Sequence, residues 1–434
     1  MNFAVAPSTQ APLPGTPLAR ALEDYRSVPA IACFVVLAAA VFSGPVDIAE
    51  GVTSELQTRV ARTPSLALKL SAALAAGAIG AWGVVCLPRV RAILLTLPGV
   101  TLCAIAALFL LTSITAITSG SIPIALVFLA YLTFTPTCLL VLGLRGVMAS
   151  VLLGLFAFTV GALLLYVFMP NYGVFAEEFG DGVIVERLGG MSQPNHTGRS
   201  AMLGLLIAIY FMKLPRAPRW LCFALCGVFI LAGLLAMSRT ALVAGAVSLV
   251  IVNLDWVLTR AGIVVTCFIA TLGLGTIFGL AAAGHDELIA QKLLGTFTKT
   301  GDVEEFTSLT GRSEIWARTI ALIEQRPLHG WGMGANKIVL VDHLQSTHNI
   351  LLHPTLAAGV GAGLLTFLLL VWNLFNVFSY PPLLIRALSA FVLISGLSED
   401  TIYETFPGAC TLLWLTCCLW PMMVPHRAPE PVAG

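Results

Sequence analysis

"QSTHNILLHPTLAAGVGAGLLTFLLLVWNLF" occupies residues 345–375. It opens polar and then runs apolar for long enough to cross a bilayer, which takes a helix of about 20 apolar residues. His348 and Asn349 stand at the threshold. The rest of the chain repeats the apolar theme. Of 434 residues, 58% are hydrophobic and only 10% charged, with a mean hydropathy of +0.93. Soluble domains carry about 25% charge. The sequence therefore reads as an all-α, polytopic membrane protein whose first partner is the lipid bilayer. A net charge of +1 without a basic block argues against a nucleic-acid partner.

Twelve candidate spans are counted, near 29–48, 66–87, 92–117, 121–143, 146–169, 199–214, 219–237, 239–258, 261–283, 349–378, 383–399 and 404–424. Residues 1–28 are polar and Pro-rich and read as a disordered tail; 425–434 form the other tail. The ten cysteines lie in apolar runs, so no disulfide framework or zinc pattern follows. Cys222 and Cys226 share a helix face as packing residues. The short loops "PRVR" (88–91), "GLRG" (143–146) and "KLPRAPR" (213–219), with Arg260 and Arg386, fall on one side of the count. The positive-inside rule makes that side cytoplasmic, with both termini. The other side, the periplasm of a Gram-negative cell, receives the loop 170–198 and the longer loop 284–347. The expected organisation is thus a tail at 1–28, nine spans over 29–283, a periplasmic loop over 284–347, three spans over 348–424, and a tail at 425–434.

Within the long loop, Thr310 can cap a helix that Pro327 must end. Ile315, Trp316, Thr319, Ile320 and Ile323 recur at helical spacing, with Glu314, Arg318 and Glu324 filling much of the other face. This predicts an amphipathic helix lying on the bundle or at the interface. "HGWGMGANK" (329–337) follows as a tight Gly-rich turn without the ending of a P-loop.

Three helix starts carry chemistry on this side. Arg312 stands in the first turn of the amphipathic helix, either solvated beside Glu314 or holding an anion against the free N–H groups. Arg239 follows Ser238, a candidate cap, between apolar runs, where a cation is costly and marks a site or an interface anchor. His348 follows Ser346 and Thr347, either of which can cap its helix and place the imidazole in the first turn. Three such starts point to one electropositive pocket for a lipid-linked phosphate or diphosphate. There a neutral His348 can take a proton from an incoming hydroxyl. Asn349 can orient or cap. Arg199, at another outer helix start, is a candidate third cation, and Glu399 a candidate to orient Arg or His.

"SRTALVAG" (238–245), "GRSEIWARTIALIEQRPLHGWGMG" (311–334) and "STHNILLHPTLAAGVGAGLL" (346–365) resemble the signature segments of the O-antigen ligase and polymerase superfamily. "SQPNHTGRSAMLGL" (192–205) and "SGLSED" (395–400) resemble weaker flanking segments. The span count and the large outer loop before the His helix agree with the resemblance. It implies a metal-independent membrane glycosyltransferase without a cofactor, using an undecaprenyl-diphosphate-linked glycan as donor. The implied acceptor is lipid A–core, as in O-antigen ligation for lipopolysaccharide biosynthesis, or another glycan or a protein. Carried over, Arg239 and Arg312 would hold the diphosphate and His348 would be the general base. O-antigen polymerases resemble this chain less in one respect: they pair two outer loops, each with an Arg followed by Gly eleven positions on, whereas here the first outer loop has Arg187 and Gly198 and the long loop's Arg318 to Gly330 misses by one.

Rival readings are a repeat-unit polymerase or protein glycan transferase, a lipid-linked-sugar flippase or secondary transporter, and a metal-dependent glycosyltransferase drawing on "DIAE" (47–50) and "SED" (398–400). A transporter would place charges at the bilayer midplane and break its helices. Here the charges lie at the edge, apart from Lys69, which can snorkel.

Overall fold

The computed structural model describes residues 17–47, 63–117, 120–179, 183–189, 191–215, 217–262, 264–265, 312–340, 346–379 and 382–423. The first part of the chain forms α1 (Pro17–Ser43), α2 (Thr63–Cys86), α3 (Pro88–Leu94), α4 (Leu97–Ile114), α5 (Ser121–Phe168) and α6 (Pro170–Gly173). A hairpin of β1 (Val174–Phe179) and β2 (Val183–Leu188) follows. Then come α7 (Pro194–Met212), α8 (Arg219–Ala236), α9 (Arg239–Val252) and α10 (Leu254–Val257). The last part forms α11 (Arg312–Gln325), α12 (Asn336–Val339), α13 (Leu352–Phe378), α14 (Leu383–Gly396) and α15 (Ala409–Leu419).

The protein is mostly helical, with one correction to the all-α expectation. The stretch 170–198, expected as a loop, contains the two-stranded antiparallel sheet β1–β2, in which Val174 faces Leu188. "VIVERL" opens with three consecutive β-branched residues, Val183, Ile184 and Val185, which favour a strand. Among the described residues, five helices are long and apolar enough to cross a membrane: Ser65–Cys86, Leu97–Ile114, Ser121–Phe168, Arg219–Ala236 and Leu352–Phe378. Shorter apolar helices lie at Ser27–Ser43, Arg239–Val252, Leu383–Gly396 and Ala409–Met422.

Several expected boundaries move. The spans at 121–143 and 146–169 appear as one 48-residue helix. It turns at Gly143, whose φ of 65° only glycine adopts without strain. α1 begins at Pro17, inside the stretch read as tail. α7 begins five residues before the expected span at 199, because Pro194 is well suited to a first helical turn. Most of the expected span at 261–283, about half of the long loop and its cap Thr310 lie outside the described residues.

α1 and α2 pack along α5, α7 packs on α8 and α9, and α14 on α9, while α13 packs against α4 and α14. Phe109, Phe128 and Trp414 surround the buried ring of Tyr403. The Tyr403 hydroxyl lies 2.8 Å from that of Thr366. This aromatic nest anchors the loop between α14 and α15, four residues past Glu399.

α13 is broken at Ala358 and Gly359 (φ 81°), and the break is filled by backbone. Trp331 N–H donates to Leu356 O and Gly332 N–H to Ala357 O, each at 2.8 Å, while Val360 N–H donates to Pro327 O at 2.8 Å. The carbonyls and amide released by the break are thereby satisfied inside the protein, as a low-dielectric setting demands. The turn 329–334 does this with Gly330, Gly332 and Gly334 all at positive φ. A Cβ on Gly359 would collide with the Leu328 carbonyl.

Candidate functional site

The starts of α7, α9 and α11, the end of α8, the residues before α13 and the loop after α14 meet at one place. Its centre is Glu399, whose side chain is 7% exposed. Glu399 Oε1 accepts from Arg312 Nη2 and from Asn195 Nδ2, both at 3.0 Å. Its Oε2 faces Arg199 Nη1 at 3.3 Å and His348 Nδ1 at 3.4 Å. The last contact is long, and His348 Nδ1 has no better-aligned partner. Burial would raise the Glu399 carboxyl, but the imidazole of His348 and the charges of Arg199 and Arg312 outweigh it and hold the group at about 2.

Three site candidates, Arg199, Arg312 and His348, thus share one carboxylate. They differ in reach. Arg199 is 3% exposed and is held between Glu399 and Glu404, the latter at 3.3 Å. Arg312 and His348 are 17% and 15% exposed, more open than Arg199. Arg199 is therefore an internal strut rather than a cation open to a ligand.

His348 does not stand in the first turn of its helix. α13 starts at Leu352, and Asn349 is the cap: its Oδ1 accepts from Leu351 N–H at 2.9 Å and Leu352 N–H at 3.1 Å. His348 lies just before the helix in a left-handed conformation, φ 46°. Its N–H donates to Ser346 Oγ at 3.2 Å and its carbonyl accepts from Trp316 Nε1 of α11 at 3.4 Å. Among the described residues, only Met237 is the other non-glycine at positive φ. Both positions border the site, where strained backbone is commonly retained.

Met237 ends α8 and is followed by Ser238 and Arg239. Ser238 occupies the cap position of α9, though its side chain makes no capping bond. Arg187, on β2 and 5% exposed, fixes the turn before it. Its Nε donates to Ala236 O at 3.1 Å and its Nη2 to Met237 O at 3.2 Å, neutralising a helix C-terminus. The same Nη2 reaches Asn195 Oδ1 at 3.1 Å. Thr240, next to Arg239, lies 3.0 Å from Ser398, next to Glu399. The turn presenting Arg239 is thus tied to the loop presenting Glu399.

The sequence reading did not single out Asn195, His196, His353 or Glu404, and considered Asp400 only within "SED" as a carboxylate source for a metal. Asp400 Oδ2 faces His353 Nδ1 at 3.3 Å. Burial opposes its ionisation, but His353, His348 and Ser346 hold the Asp400 carboxyl well below the usual carboxylate range. Burial pushes Glu404 up to about 7, against the pull of Arg199. Asn195, His196 and Asp400 lie in "SQPNHTGRS" (192–200) and "SGLSED" (395–400), segments that show polar residues at a helix start or end. Lys69 sits over the Phe406 ring, 5.6 Å from its centre. Among the described residues, no three His, Cys, Asp or Glu side chains are grouped to hold a metal.

No curated protein matches the chain. Residues 224–371 match the family model described as O-antigen ligase. That stretch includes Arg239, Arg312 and His348 but not Glu399 or Arg199, which the fold brings onto it. The match and the apolar helices together support a multi-pass membrane protein with glycosyltransferase-like activity, of the ligase or polymerase type. The motifs at 238–245, 311–334 and 346–365 all lie within 224–371, and this part of the chain is similar to the O-antigen ligase family.

Proposed function

We propose that this protein transfers a glycan from an undecaprenyl diphosphate carrier to an acceptor hydroxyl on the periplasmic face of the inner membrane. The acceptor we infer is lipid A–core, making the reaction an O-antigen ligation. One observation carries the reading: a single carboxylate, Glu399, holds both the Nδ1 side of His348 and the guanidinium of Arg312. A base and a diphosphate-binding cation are then positioned by the same side chain.

In this mechanism Glu399 orients His348 with its proton on Nδ1, leaving Nε2 to accept. The acceptor oxygen attacks the anomeric carbon as its proton passes to Nε2. The bond from that carbon to the diphosphate breaks, and undecaprenyl diphosphate leaves with its charge held by Arg312 and Arg239. The planar forks of arginine suit a dispersed phosphate charge. A diphosphate is already a good leaving group, so orientation and charge stabilisation can supply most of the rate. Asn349 caps α13 and fixes the residues before it.

A transporter reading draws on the broken α13. That break is filled by the backbone of 327–332 rather than left as an ion-binding gap, so it favours a rigid site. The test is the surface glycan of a deletion strain. Loss of long chains from lipid A–core with intact lipid-linked polymer is expected. Loss of the polymer itself, leaving single repeats, would make the protein a polymerase. Transfer by the purified protein should also persist in excess chelator; loss restored by a divalent ion would favour a metal-dependent mechanism.

A further inference from the structure

We propose that His196 is a second substrate-contacting imidazole of this site, donating a hydrogen bond from Nε2 to a neutral oxygen of the glycan. The inference rests on the glycan-transfer reading above. His196 Nδ1 lies 3.0 Å from Arg199 Nη2. Arginine has donors only and keeps its protons, so Nδ1 must accept. Glu404 Oε1, the other neighbour of Nδ1, is farther away at 3.5 Å and itself accepts from Arg199 Nη2 at 3.3 Å, whereas the guanidinium directs a proton at Nδ1 from 3.0 Å. The proton of the neutral ring therefore resides on Nε2. That atom has no partner among the described residues, and the side chain is 31% exposed. His196 also lines a small cleft with Pro45, Arg199, Glu404 and Cys410.

The two imidazoles flank the buried Arg199–Glu399 pair with opposite polarity. His348 faces a carboxylate through Nδ1 and offers a lone pair; His196 faces a guanidinium through Nδ1 and offers a proton. The charge beside His196 is largely cancelled, since Arg199 lies between Glu399 and Glu404. A neutral donor in a near-neutral cleft suits a sugar hydroxyl or ring oxygen. The diphosphate belongs at the opposite, cationic end, with Arg312. His196 thus defines the glycan side of the site.

The experiment pairs two substitutions with a spectroscopic measurement on the full chain in nanodiscs. Glutamine places an amide donor near the position of Nε2, whereas asparagine reproduces only the Nδ1 position. His196→Asn should lower kcat/KM about three- to tenfold, the effect of one neutral hydrogen bond. His196→Gln should recover most of that loss. Affinity for undecaprenyl diphosphate alone should not change in either variant. In histidine-labelled protein, the ¹⁵N shifts of His196 should report the Nε2–H tautomer, and they should move on adding undecaprenyl diphosphate bearing one hexosamine but not the bare lipid. An Nδ1–H tautomer, or full activity in His196→Asn with loss in His196→Gln, would overturn the proposal. Weakened binding of the bare lipid would instead make His196 a phosphate contact and equally overturn it. The tautomer needs no turnover to be read, so wild-type protein without transfer activity would refute the functional reading separately.

Discussion

The two ends of the helix bundle use their cations differently. At the end with the short basic loops, Lys213 Nζ donates to Val252 O at the close of α9, and Arg386 Nε donates to Val377 O at the close of α13, at 2.6 Å. These cations satisfy the carbonyls and the negative pole of a helix terminus. At the other end Arg187 does the same for α8, but Arg199 and Arg312 are matched to Glu399 and border two imidazoles. A cation that caps a helix has done its work. A cation sharing a carboxylate with a partly exposed histidine can exchange that partner for a ligand.

Substitutions at the site end should therefore remove chemistry, and those at the other end only stability. The largest effect is expected at His348. His348→Ala should lower turnover about 10²- to 10⁴-fold, the cost of losing a general base, with lipid-diphosphate binding retained. His348→Asn should be as impaired, since it cannot take the proton; full activity there would end the general-base role. Next, Arg312→Ala and Arg239→Ala should each cost about 10- to 200-fold, as for a lost hydrogen bond to a charged group, with lysine rescuing partly. Near-normal transfer in either alanine variant would remove that residue from the diphosphate site.

A smaller contrast lies in pH dependence. Glu399 is held at about 2, below its ordinary 4.5, so its contribution to stability is full above pH 4.5 and is lost as pH falls towards 2. Glu404 is raised to about 7, so its contribution is full below 4.5 and is lost as pH rises through 7. Glu404→Gln should therefore raise the thermal midpoint in detergent at pH 8 relative to wild type and change it little at pH 4. The reverse order would refute the burial argument. The smallest effect is expected at Arg386: alanine there should cost about 0.3–1 kcal/mol of stability, typical of a cation at a helix end, and leave transfer per folded molecule intact.

Apolar run lengths made the membrane class legible, and the helix starts singled out Arg239, Arg312 and His348 as candidates. Glu399 could be named but not placed, because its partners come from α7, α11 and the segment before α13, and sequence spacing carries no information on which loops meet. His348 was misplaced by one turn because Ser346, Thr347 and Asn349 are all competent caps; only packing selects Asn349. The long helix α5 was read as two spans because "GLRG" looks like a loop, and its glycine does turn the chain, within a continuous helical assignment. His196 escaped notice because its meaning depends on Arg199 one turn later, and an i to i+3 pair is common on any helix.

The backbone weld between the turn 327–332 and the break in α13 closes a ring. From the weld, one arm runs back along α11 to Arg312; the other runs back through Leu352 to His348, and Glu399 ties the two free tips together. The spacing of clamp and base is thus set by a closed covalent and hydrogen-bonded circuit rather than by how far apart the spans stand in the lipid. A thicker or thinner bilayer can tilt the spans, yet the reactive geometry travels as one piece, so turnover should follow lipid fluidity and substrate supply and be insensitive to acyl-chain length.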